Sequence, residues 1–182
     1  MMRKALLIFW CMLTAATDSG YYFTDRGQIT FRSEASQELI KASSANLRGV
    51  LDPSKRTFVF RVSMRTFHGF NSALQREHFN EKYLETEKFP EASFQGKIIE
   101  DIDLTIDGNY EIRAKGKLTV HGVESERIIK CQVKVKPESI SVESHFTILL
   151  SEHNIKIPKV VHEKIANEIS VEVKGELKKR PG

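Results

Sequence analysis

The residues with the most chemistry to offer in this chain are its histidines, its cysteines and a run of glutamates. His68, His78, His121, His145, His153 and His162 could each ligate a metal, yet none forms a close pair at ligand spacing. His162-Glu163 lacks the second histidine four residues on that a helical zinc motif needs. Cys131 falls on an apolar face of strand-like alternation, where a thiol is ordinarily an inert packing group. There is no G-x-S-x-G elbow to expose a nucleophile and no glycine-rich loop to cradle phosphate. Glu77, Glu81, Glu85 and Glu87 surround Lys82 at spacings that suit the solvated face of a helix. His78 and His121 are expected to bond local backbone at a helix and a turn. No catalytic residue, metal site or cofactor is therefore expected, and whatever the chain does must come from its apolar surface.

The elements that carry that surface follow a period of two. Phe58, Phe60, Val62 and Met64 alternate with Val59, Arg61, Ser63 and Arg65. Tyr110, Ile112, Ala114, Gly116, Leu118 and Val120 alternate with charged residues and a threonine over about ten residues, long for a strand. Ile129 to Val135, Ile140 to Ile148 and Ile169 to Leu177 repeat the pattern, and Gln28–Arg32, a stretch within 39–51 and Phe94–Ile98 read as further strands. Asp52-Pro53-Ser54-Lys55, His121-Gly122 and Lys136-Pro137-Glu138 are turns by their chemistry, and Asp107-Gly108-Asn109 is the strongest hairpin signal. Two segments depart from this pattern. Asn71 to Glu87 places Leu74, Phe79, Tyr83 and Leu84 at helical spacing and stops before Phe89-Pro90; Pro158 to Asn167 predicts a second short helix.

The start of the chain reads differently. Met1-Met2-Arg3-Lys4, the apolar run Ala5–Leu13 and Thr14-Ala15-Ala16 have the layout of a secretory signal over residues 1–16, leaving 17–182 as one β-barrel domain. The apolar run is too short to anchor in a bilayer, which takes about 20 residues. A periplasmic or secreted location is expected, with no transmembrane segment in the mature chain. Without Arg3 and Lys4 the net charge falls from +4 to +2, and no dense basic block with interleaved aromatics remains, so nucleic acid is not an expected partner. Cys131 would be the one remaining cysteine, so the mature domain makes no internal disulfide.

Many strands apolar on one face must bury that face, and a sheet of about eight can do so by closing on itself, which also removes its edges. The expected fold is thus all-β: an antiparallel lipocalin-like β-barrel of about eight strands with one or two short helices. Periodicity alone leaves a filled barrel, a ligand-holding barrel and a two-sheet sandwich open. The inward residues proposed to contact a ligand are Phe58, Phe60, Val62, Phe94, Ile98, Ile112, Ala114, Leu118, Phe146 and Ile148, with Cys131 and Val133 beside them. Gly96, Ala114 and Gly116 are small inward positions that would leave room for a chain-like ligand.

Gln75 to Phe94 is a charged segment with a histidine that leads to Phe89-Pro90 and a strand containing Phe94. This resembles the middle motif of the YceI-like family. Gly116-Lys117-Leu118-Thr119 followed by His121-Gly122 resembles its second motif, and the strand pattern fits over about residues 27–178. The resemblance implies an extended lipocalin-like barrel in an exported bacterial protein, with a lipid or isoprenoid small molecule as partner. One departure stands out. Many members carry a His-Ser pair in the first strand, where this chain reads Gly27-Gln28-Ile29-Thr30-Phe31. The leading reading is an exported protein that carries or sequesters an isoprenoid-type chain inside the barrel, with the polar head near Arg65 or the 71–87 segment. The alternative is a ligand-free structural, interaction or stress-associated barrel docking through Arg113-Lys115-Lys117. A homodimer is left open by the sequence, and an enzyme with a site at the barrel mouth is the third reading.

Overall fold

The computed structural model describes residues 20–179, so the segment read as a signal lies outside the described residues. Eight antiparallel strands close into a barrel in simple up-and-down order: β1 (Tyr22–Glu34), β2 (Leu39–Asp52), β3 (Thr57–Ser63), β4 (Glu91–Ile98), β5 (Gly108–Val120), β6 (Val123–Lys136), β7 (Ser139–Leu149) and β8 (Glu168–Lys179). β8 pairs with β1, for example Val171 with Phe31, so no sheet edge is left free along that seam. One short helix, α1 (Ala73–His78), runs into a single π turn over Phe79–Tyr83. The second predicted helix, within 158–167, is a single 3₁₀ turn at Lys159–Val161. Its chain continues in tight turns, with Ile165 N–H donating to the Val161 carbonyl at 3.1 Å. Among the described residues no helix is long and apolar enough to cross a membrane.

The two ends of the barrel differ. One end is solid. Tyr22, Leu51, Val135, Ile140 and Leu177 pack around Leu104, which comes from the 99–107 loop and is fully buried. That loop replaces the tight hairpin predicted at Asp107-Gly108-Asn109: Gly108 already belongs to β5 and pairs with Val135. Asp103 Oδ1 accepts from the Thr105 amide at 2.8 Å and its hydroxyl at 2.6 Å, and Arg113 donates to Glu100 at 2.8 Å. These local bonds hold the loop as a plug rather than a turn. The tight hairpin signal is instead realised at His121-Gly122, where both residues take positive φ (51° and 70°) between the paired Val120 and Val123.

At the other end the barrel splays. β3 and β4 have only 7 and 8 residues, and β6 and β7 stop pairing beyond Cys131 and Ser144. The 64–90 segment and the 150–167 segment occupy the widened end. α1 begins with a reciprocal cap: Ser72 Oγ accepts from the Gln75 amide at 3.1 Å while Gln75 Oε1 accepts from the Asn71 amide at 3.0 Å.

Candidate functional site

The splayed end holds an apolar-walled cavity. An outer chamber of about 440 Å³ lies under α1, the π turn and the 157–165 segment. An inner chamber of about 110 Å³ lies deeper in the barrel. Ile29, Val62, Ala92, Leu118 and Phe146 line both, so the chambers meet at a waist formed by these five side chains. The volumes and the apolar walls suit a ligand with a hydrocarbon chain.

Each chamber has its own aromatic wall. In the outer chamber Phe79, supplied by the π turn, stacks on Phe31 of β1 at 5.4 Å and 11°, and meets Phe70 at 5.0 Å and Phe67 at 6.0 Å. In the inner chamber Phe58 meets Phe94 at 5.0 Å and Phe60 at 6.1 Å. Phe60 lies across Gly49 on the neighbouring strand, where a Cβ would stand 2.3 Å from the ring. Polar groups reach the outer chamber only near its rim: Ser33, Glu38, Ser72, Gln75, His78, Tyr83 and Lys164. Glu38 accepts from Gln75 Nε2 at 2.9 Å and Asn71 Nδ2 at 3.0 Å, which ties the β1–β2 turn to α1.

All ten residues named from the sequence line a chamber. Phe58, Phe60, Phe94, Ile98, Ile112 and Ala114 line the inner one, Ile148 lines the outer one, and Val62, Leu118 and Phe146 lie at the waist. Cys131 and Val133 line the inner chamber, and burial raises the Cys131 thiol pKa, keeping it protonated. The inward glycines do not leave room for a ligand. A Cβ on Gly96 would lie 2.1 Å from the Lys115 carbonyl oxygen, so the neighbouring strand already fills that space. Arg65 does not line the cavity; it pairs with Glu87 at 3.0 Å on the outside. The sequence reading missed Phe67, Phe70, Ile157, Val161 and Ile165. The apolar pair flanking His68-Gly69 and the four-residue spacing of Ile157, Val161 and Ile165 were the available signals.

A latch joins the cover to the barrel. His121 Nε2 lies 3.0 Å from Glu85 Oε2 and Nδ1 lies 3.1 Å from the His153 carbonyl, so the contact is to distant segments and not only to its own turn. Both ring nitrogens face oxygen atoms. Phe89 meets the same ring edge-on at 4.6 Å. The bond from Lys88, and then that from His121, lowers the Glu85 pKa. His153 is fully buried; its Nδ1 lies 3.2 Å from the Val123 carbonyl and its Nε2 has no partner among the described residues. Burial depresses its pKa below the ordinary 6.5, against the opposing effect of the Val123 bond. The unfolded chain then binds a proton that the folded chain refuses. Stability is therefore full above about pH 6.5 and falls as the pH drops from there toward the folded value, with a slope of up to about 1.4 kcal/mol per pH unit. Urea midpoints for the wild type and His153→Gln on both sides of that range should show the wild type losing more on acidification. Parallel curves would remove His153 as the cause.

Among the described residues one group has metal-like convergence: Glu143, His145 and Glu172, on the outer face. Lys174 Nζ sits between its carboxylates, 3.2 Å from Glu143 and 2.5 Å from Glu172, and supplies the cation itself. The basic strand face is similarly compensated, with Arg113 paired to Glu100 and Lys117 to Glu124.

Residues 22–177, all eight strands and the segments covering the mouth, match the YceI-like domain. The chain belongs to the YceI-like family. Its solved relatives place this YceI-like chain by fold. A polyisoprenoid-binding domain from Saccharophagus degradans is similar at a TM-score of 0.75 and 12% identity, over 88% of this chain and 99% of the other. BcnA from Burkholderia cenocepacia is similar at 0.68 and 14% identity, over 83% and 95%. The YceI protein of Campylobacter jejuni is similar at 0.56 and 13% identity, over 100% and 92%. No curated protein matches this YceI-like chain.

Proposed function

We propose that this YceI-like protein is an exported carrier that holds an isoprenoid-type or similar amphiphilic lipid in its barrel. The observation that carries the reading is the pair of apolar-walled chambers that share five lining side chains, the outer one edged by polar groups. A chain of apolar carbon placed there leaves water at a gain of roughly 25 cal/mol per Å², before the costs of association. The tail would run past the Phe31–Phe79 stack, through the waist and toward Phe58. The head would stay at the rim beside Gln75, His78 and Lys164. The polyisoprenoid-binding relative from S. degradans, with the same fold, supports this choice of ligand class. Nothing in the arrangement calls for a chemical step on the ligand, so binding and release would be the whole activity.

Native mass spectrometry of the protein purified from its own exported fraction, then denaturing mass spectrometry of the same sample, tests this. The expected result is a discrete extra mass that disappears on denaturation and matches a lipid. A bare protein mass, together with no stabilisation by added isoprenoid alcohols, would favour the ligand-free barrel.

A further inference from the structure

We infer that the barrel mouth is a docking surface for an anionic lipid bilayer, where the ligand enters and leaves without crossing water. The inference rests on the lipid-carrying reading above and adds to it the surface and the partner. A long hydrocarbon ligand has almost no free concentration in water, so a carrier that collects it from a membrane gains by touching that membrane with its opening.

The rim has the composition such contact needs. Three apolar side chains stand in solvent there: Val160 at 88% exposure, Leu74 at 58% and Leu39 at 49%. They come from three segments that hydrogen bonds join around the opening. Asn71 Nδ2 donates to the Leu39 carbonyl at 3.0 Å, next to α1, and the Gln37 amide donates to the Glu163 carbonyl at 2.9 Å, next to the 3₁₀ turn. Leu74 and Val161, the neighbour of Val160, line the outer chamber, so the exposed apolar groups continue the cavity wall outward. Lys156, Lys159 and Lys164 are exposed beside them and form no ion pair among the described residues. Two carboxylates of the same rim are engaged by neutral amides instead of by these lysines: Glu38 by Asn71 and Gln75, and Glu163 by Gln37. Apolar groups that insert beside free lysines form the pattern by which a surface engages anionic headgroups. The described chain begins and ends at the opposite, plugged end, where Tyr22 pairs with Lys179.

Flotation with phosphatidylglycerol-containing vesicles and with pure phosphatidylcholine vesicles, at low and high salt, tests this on the purified protein. The expected result is flotation with the anionic vesicles that weakens with salt. The double variant Leu39→Glu, Val160→Glu, at two exposed rim residues that do not line the chamber, should lose at least about tenfold in vesicle affinity, because two inserting groups become anionic. The double variant Lys156→Gln, Lys159→Gln, at lysines outside the chamber lining, should lose the headgroup preference. Thermal melting and uptake of a fluorescent fatty-acid analogue from solution are read on the same samples. Rim variants that still take up the probe but do not float support docking as a step separate from binding. Wild type that takes up the probe yet floats with neither vesicle overturns the docking proposal alone. Wild type that takes up no probe removes the carrier reading beneath it. Self-association abolished by Val160→Glu, with no flotation of the wild type, would assign the patch to a second copy of the chain.

Discussion

Gly96→Ala is expected to cost about 3 kcal/mol or more of stability, enough to leave a marginal barrel largely unfolded. Gly96 of β4 faces Gly116 of β5 directly. A Cβ on Gly96 would stand 2.1 Å from the Lys115 carbonyl oxygen and 2.5 Å from the Gly116 Cα; one on Gly116 would stand 2.2 Å from the Gln95 carbonyl oxygen. These are backbone atoms in a sheet ladder, and no side-chain rotation can clear them. The methyl group fits only if β4 and β5 part, and in a closed barrel parting one seam strains the others. Gly175→Ala in β8 is the control, because a Cβ there meets nothing within 4 Å. It should change stability by less than about 1 kcal/mol, and in the stabilising direction. Denaturant unfolding of both variants decides the matter. If Gly96→Ala unfolds with the wild type, the paired glycines do not set the approach of these strands.

The glycine pair shows where reading by pattern stopped. Alternation along 110–120 and 129–135 located the strands and their inward faces, because a half-buried strand needs little more than period two. The same pattern marked Gly96 and Gly116 as inward and small, but smallness has two uses: it can leave space for a ligand, or let backbones approach. Only the strand pairing, Gly96 against Gly116, separates them. Asp107-Gly108 failed as a hairpin for a related reason. A turn dipeptide states a local preference, whereas Leu104, in a loop that mixes acidic residues with Ile99, Ile102 and Ile106, is drawn into the barrel base by burial that is visible only in three dimensions.

The site divides along the same line. Phe58, Phe94 and Ile112 lie on regular strands, and their place in the inner chamber follows from alternation. Most of the outer chamber's cover comes from segments without a period. Phe67 and Phe70 sit in an irregular stretch, and the Ile157–Ile165 region reads as a helix although its chain makes one 3₁₀ turn. His121 was legible as a turn residue, yet its partners, Glu85 and the His153 carbonyl, lie more than thirty positions away. The two YceI-like motifs, 75–94 and 116–123, meet where the turn at His121-Gly122 packs on Phe89, whereas Phe67, Phe70 and the 157–165 stretch lie outside both.

Ala92→Trp is expected to divide ligands by length. Ala92 is the smallest of the five side chains at the waist and lies on β4 opposite Val62. An indole there would fill the passage between Val62, Leu118 and Phe146 and leave the outer chamber largely open. A short isoprenoid alcohol that fits in the outer chamber should bind as before. A long one loses whatever part of its tail reaches the Phe58–Phe94 wall. If that part buries about 100 Å², the loss is about 2.5 kcal/mol, or roughly seventyfold in Kd. Overpacking at the waist should lower stability by about 1–3 kcal/mol, so binding is measured at a temperature where melting curves show the variant folded. Titration of both alcohols into both proteins gives four affinities. Selective loss of the long ligand places its tail across the waist. Equal loss of both would mean that Ala92 shapes the outer chamber alone. No loss of either would place the bound chain wholly above the waist, and the inner chamber would then be a packing defect of the barrel rather than half of its binding site.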